Sequence, residues 1–164
     1  MRLRNIRTGW IATPTPKARP SIAATVIFWS GFRALRLEAA LRQWQGPPMR
    51  ILENIISDRG SRYAVSGADV GSAEDVKDFL KALCRNKKFA KATHNSWAVL
   101  LPEGPLKNDD GEAGAGMVIL RMLEREGRTG HVVCVTRWFG GKHLGGDRFR
   151  HVAEAVRIYL EPVT

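Results

Sequence analysis

Residues 132–151 read Val-Val-Cys-Val-Thr-Arg-Trp-Phe-Gly-Gly-Lys-His-Leu-Gly-Gly-Asp-Arg-Phe-Arg-His. Val132 to Phe139, β-branched and aromatic almost throughout, is the strongest strand in the chain. Four glycines then make a loop, and a helix starts near Asp147 with Phe149, Val152, Ala153, Val156, Tyr159 and Leu160 on one stripe until Pro162 ends it. Working outward, 115–126 (AGMVILRMLERE) has helical apolar spacing, with Gly127 as its stop. Asn95 to Leu101 (NSWAVLL) is a short apolar run closed by Pro102, as a strand requires. Ser72-Ala-Glu-Asp75 resembles a capping box, and Val76, Phe79, Leu80 and Leu83 behind it predict an amphipathic helix over 73–86. A hairpin using 53–57 and 62–66 is expected around Asp58-Arg59-Gly60-Ser61. The order β-β-α-β-α-β-α argues for a sheet covered by helices on one face.

The chain has 164 residues, 44% hydrophobic and 26% charged, and a net charge of +10. One domain of that length buries roughly two-thirds of its unfolded surface, so disorder throughout, collagen-like repeats and a multidomain enzyme are excluded. Two cysteines, Cys84 and Cys134, are too few for a disulfide scaffold and are expected to be reduced and buried. The longest apolar stretch, Ser21 to Phe32, falls short of the roughly 18 residues of a membrane span, so a soluble, cytoplasmic protein is expected. The charge is uneven: residues 1–48 carry eight Lys and Arg against Glu38 alone, or +7, leaving +3 for residues 49–164. Three readings of residues 1–48 compete: an Arg-rich targeting peptide, a basic tether for nucleic acid or membrane, or a segment outside the working protein, with translation starting at Met49. The last is favoured, so residues 1–48 are expected to be a disordered or untranslated extension and 49–164 the domain.

Four constellations carry possible chemistry. Asp109-Asp110-Gly111-Glu112 would suit a hard cation through its oxygens, but the same acids before a helix would cap its amides and complement its dipole. The latter is preferred. The passage Arg137 to His151 places glycine-rich backbone beside a helix start, which suits an anion, and Arg137, Lys142, Arg148 and Arg150 against Asp147 make it +3. Alternatively its glycines form a strained turn and Asp147–Arg148 pairs with the acidic loop. His143, Asp147 and His151 share one helical face only if helix extends back through Gly145 and Gly146, so they are not read as a metal site. Thr93-His94-Asn95 enters a strand after Lys87, Lys88 and Lys91. It has no nucleophile beside His94, because Ser96 follows at strand spacing and Cys84 sits in the apolar part of its helix.

These motifs in this order resemble the Impact family: Asp109-Asp110-Gly111-Glu112 with Ala-Gly following, the strand Val132–Phe139, and Gly140-Gly141-x-x-Leu144-Gly145-x-Asp147-Arg148-Phe149-x-His151. Phe89-Ala-Lys-Ala-Thr-His-Asn95 and Asp58-Arg-Gly-Ser-Arg-Tyr63 are similar to its entry strand and opening segment. The resemblance covers about residues 53–160. It implies an α+β two-layer sandwich similar to the second domain of ribosomal protein S5, with a four-stranded sheet and helices on one face. Eukaryotic members bind the large ribosome-associated activator of the starvation-sensing initiation-factor kinase, without known catalysis. Neither an amino-terminal RWD domain nor an elongation-factor-like second domain is found in these 164 residues, so that partner is not carried over. The motif matches nominate Asp109, Asp110, Glu112, Arg137, Gly140, Gly141, Lys142, Asp147 and Arg148, with His94, as the binding surface.

The expectation is a non-enzymatic regulator associated with translation, needing no cofactor or metal and binding RNA or a ribosome-associated protein. Arg137, Lys142 and Arg148 would contact phosphate or an acidic patch, and Asp109, Asp110 and Glu112 would orient the basic loop by pairing with it. Trp97, Trp138 and Phe139 read as core as readily as a stacking platform. The alternative is a small metal-dependent hydrolase or phosphate-handling enzyme using the Asp109, Asp110 and Glu112 cluster beside His94.

Overall fold

The computed structural model describes residues 44–162. The basic segment up to residue 43, on which the targeting, tether and untranslated readings turn, lies outside the described residues. The described chain runs β1 (Arg50–Asp58), β2 (Ser61–Asp69), α1 (Ala73–Arg85), α2 (Lys87–Ala90), β3 (His94–Leu101), β4 (Gly104–Asn108), α3 (Ala115–Arg125), β5 (His131–Trp138) and α4 (Asp147–Leu160). The strands form one antiparallel sheet in the order β1-β2-β5-β3-β4.

Local chemistry explains most boundaries. The β1–β2 hairpin turns on Arg59 and Gly60, with φ +49° and +83°, the pair of left-handed residues a two-residue type I′ turn requires. At the start of α1, the Ser72 hydroxyl accepts the Asp75 amide at 3.2 Å, and the Asp75 carboxylate reaches back to the Gly71 amide at 3.0 Å. The helix stops at Arg85, because Asn86 turns extended and its side chain caps α2 by accepting the Lys88 amide at 3.0 Å. β1 breaks register between Leu52 and Ile56, where Asn54 takes φ +54°, as in a bulge on an edge strand.

Two expectations are corrected. The sheet has five strands rather than four: β4, Gly-Pro-Leu-Lys-Asn, is an edge strand with mostly exposed side chains and a proline that only an edge tolerates, so it carries no alternation to read. Helices also cover both faces rather than one. Tyr63, Val65, Ala98, Val133 and Val135 meet α3 and α4 through Ile119, Leu123, Val152 and Val156. The intervening residues Ala64, Ala68, Val99, Val132 and Cys134 meet Val76, Phe79 and Leu83 of α1 and Phe89 of α2. Central strands apolar at every position must be covered twice. Trp44 lies edge-on to Phe79 on the α1 side, with ring centroids 6.1 Å apart. Among the described residues no helix is long and apolar enough to cross a membrane.

Candidate functional site

The antiparallel register sets Arg137 of β5 between Tyr63 of β2 and His94 of β3. Directly opposite residues point to the same face, so the three form a row at one end of the sheet, on the α3–α4 side. The loop before α3 closes over this row, as does the glycine loop before α4, which is anchored by buried Leu144.

Arg137 is 6% exposed and Glu112 4% exposed, and the Arg137 Nη1 donates to the Glu112 carboxylate in a buried ion pair. The guanidinium carbon lies 5.8 Å from the centroids of both the Tyr63 and Phe139 rings. The Arg137 Nε, the Tyr63 hydroxyl and the Arg148 Nε are buried without a hydrogen-bond partner. Burial pushes the Tyr63 hydroxyl pKa up to about 12.

The acids do not converge. Asp109 accepts the Gly114 and Gly116 amides at 2.8 and 2.7 Å and so caps α3. Asp110, left-handed at φ +46°, accepts the Asn95 amide at 2.7 Å. Glu112 alone pairs with the basic strand, so the expectation that all three orient the loop is corrected: two are consumed by backbone amides at the start of a strand and the start of a helix. Among the described residues no group of three His, Cys, Asp or Glu side chains is placed to hold a metal ion. The Asp110 carbonyl lies 2.8 Å from the His94 Nδ1. A carbonyl can only accept, so Nδ1 carries the proton and Nε2 of the neutral ring is an acceptor.

The glycine loop is held by backbone. The Phe139 amide donates to the Thr93 hydroxyl at 2.9 Å and the Gly140 amide to the Ser61 hydroxyl at 3.2 Å. A Cβ on Gly140 would stand 1.9 Å from the Gly60 carbonyl carbon, so only glycine allows the loop to lie against the hairpin turn. Asp147 neither caps α4 nor draws Arg148 to the acidic loop. It accepts Arg59 at 2.8 Å and forms an ion pair with Arg150 at 3.4 Å. His151 bonds Asp58 at 2.9 Å and His143 stands 5.4 Å from Phe139, so His143, Asp147 and His151 have separate partners.

A cleft of about 360 Å³ opens above the row, walled by His94, Glu112, Arg137, Phe139, His143 and Arg148. Four nominated residues therefore meet there: His94, Glu112, Arg137 and Arg148. Asp109, Asp110 and Asp147 are used in caps and ion pairs outside its lining, Gly140 and Gly141 shape the loop, and Lys142 is exposed on it. Phe139 and Tyr63 were not nominated. Phe139 is 42% exposed, not core. Period-two spacing from Arg137 puts it on the cleft face, a signal present in the sequence, whereas the position of Tyr63 depends on register.

The family model described as the Impact N-terminal domain matches residues 59–160. The Protein IMPACT homolog of Schizosaccharomyces pombe is 38% identical over 107 residues, covering 62% of this chain and 38% of that protein. Human Protein IMPACT is 38% identical over 111 residues, covering 64% of this chain and 35% of its own. The chain thus spans less than half the length of these curated relatives. A solved protein described only as hypothetical superposes with TM-score 0.62 at 22% identity, over 73% of this chain and 60% of that one, a likeness of fold. With the family model matching more than half of the sequence, the chain belongs to the Impact N-terminal domain family.

Proposed function

We propose that the chain is a non-enzymatic, cytoplasmic regulator associated with translation, and that it docks on RNA or a ribosome-associated protein through its glycine-loop face. Membership of the Impact N-terminal domain family supports the translation role. The observation that carries the docking surface is its unbalanced charge. Among the described residues Lys142 and Arg148 make no ion pair, while every carboxylate around them is occupied by an arginine or by backbone amides. An exposed lysine on the loop and an unpaired arginine in the first turn of α4 attract phosphate or an acidic protein patch at long range. Arg137, buried and paired with Glu112, adds no net charge to that surface. Its buried pairing with Glu112 makes it the floor that holds the loop.

The test is a titration of the full chain against ribosomes and a generic structured RNA across a salt series. Binding that weakens with salt is expected, and the K142E/R148E double variant should lose it, with a log–log slope shallower by about 2 at most. If wild type binds RNA-free acidic protein fractions of the ribosome but not RNA, the RNA arm is wrong. Absence of any salt-sensitive binding removes the docking surface.

A further inference from the structure

We infer that the cleft between the glycine loop and the α3 entry loop binds one nucleoside 5′-monophosphate unit, with its phosphate at Arg148 and Arg137 and its base against Phe139. This deepens the docking proposal at the same face by naming the chemistry of the ligand.

Three independent features point there. The first is unsatisfied polarity. Arg137 is more than nine-tenths buried, yet its Nε has no partner in the protein, and neither has the Nε of Arg148, which lines the same cleft. Buried donors are almost always paired, so two orphans on side chains that line one cleft mark a place the fold leaves polar and unsatisfied. The second is charge. Glu112 neutralises Arg137, whereas Arg148 has no carboxylate partner among the described residues, which leaves the cleft one uncompensated cation. An anion answers that excess, and a guanidinium pair suits phosphate oxygens. The third is the wall. The Phe139 ring is exposed at the mouth, with the His143 imidazole 5.4 Å away, and the lining is more apolar than polar. Inorganic phosphate would leave that ring uncovered, and an uncharged aromatic would leave Arg148 unanswered. A nucleotide satisfies both, through stacking and ion pairing in one molecule. The His94 Nε2 acceptor can take a sugar hydroxyl. The volume, about 360 Å³, lies at the small end of ligand sites and suits a single nucleotide rather than a run of them.

The experiment is calorimetric titration of the full chain, without ribosomes, with AMP, adenosine, inorganic phosphate and phosphotyrosine. AMP should bind about tenfold or more tighter than adenosine or phosphate alone. Phe139→Ala should lower AMP affinity to that of phosphate, and Arg148→Met to that of adenosine, with unchanged melting temperatures because neither side chain is core. A 5′-phosphorylated oligoribonucleotide binding as well as AMP would identify the unit as an RNA 5′ end, and weaker binding would identify it as a free nucleotide. The inference is overturned if AMP binds no tighter than its two halves, if phosphotyrosine matches it, or if Phe139→Ala changes nothing. Such a failure removes the pocket and leaves the salt-dependent docking to stand or fall on its own titration.

Discussion

Asp109 accepts two backbone amides at the start of α3, and the Gly114 bond above all holds its carboxyl below the usual carboxylate range. A carboxylate with a lowered folded-state pKa stabilises the fold fully above its unfolded value, near pH 4, and the contribution is lost as pH falls through the folded value. Asp109→Ala should therefore cost about 1–2 kcal/mol at neutral pH, with a smaller difference from wild type in acid, read from urea melts at both pH values. Glu112 works at higher stakes. Its removal would strand the Arg137 charge at 6% exposure, and breaking a buried pair from one side typically costs about 3–5 kcal/mol. Glu112→Ala is expected to lower stability by that order in a denaturant titration, without any metal-dependent component, because Asp109 and Asp110 turn to backbone amides and do not converge with Glu112.

Among the elements, β5 decides the most. Seven of its eight residues, from His131 to Arg137, are buried, and it pairs with β2 on one side and β3 on the other. Cys134 sits within it at 0% exposure, and burial pushes its thiol pKa up to about 12. Cys84 on α1 is partly exposed, with a thiol also raised by burial. A thiol reagent at neutral pH should label Cys84 slowly and leave Cys134 untouched until urea unfolds the chain. Fast labelling of both in the native protein would contradict the double cover of β5. The far end of the same strand is tied to α4 by His131, which lies 2.5 Å from Asp69 and 3.0 Å from the Tyr159 hydroxyl. The glycine loop between β5 and α4 thus joins two elements already tied together, with Lys142 on the loop and Arg148 in the first turn of α4.

At the scale of the molecule, structure and charge are separable. The described domain is held by two apolar layers on either face of one sheet, and Lys142 and Arg148 belong to neither. Reversing Lys142 and Arg148 together should leave the fold intact, since neither makes an ion pair or belongs to either apolar cluster. The same reversal should abolish salt-dependent binding to ribosomes or RNA. A loss of fold in K142E/R148E, seen as a lowered melting temperature, would show that the loop is part of the scaffold and not a surface.

The sequence alone determined the elements whose signals are local. The Arg59-Gly60 turn, the Ser72 cap, the Gly127 stop and the helical stripe behind Asp147 each rest on chemistry within a few residues. The family was legible for the same reason, because its motifs are short runs at fixed offsets. Tertiary structure decided what depends on neighbours distant in the chain. β4 has no apolar alternation because an edge strand buries little, and the double cover of β5 needed helices on both sides to be seen as two layers. The acids at 109–112 read as one cluster because they are adjacent in sequence. In space they answer three different partners, since a tight turn points successive side chains apart. The cleft itself exists only through register, which sets Tyr63, Arg137 and His94 in one row from three strands.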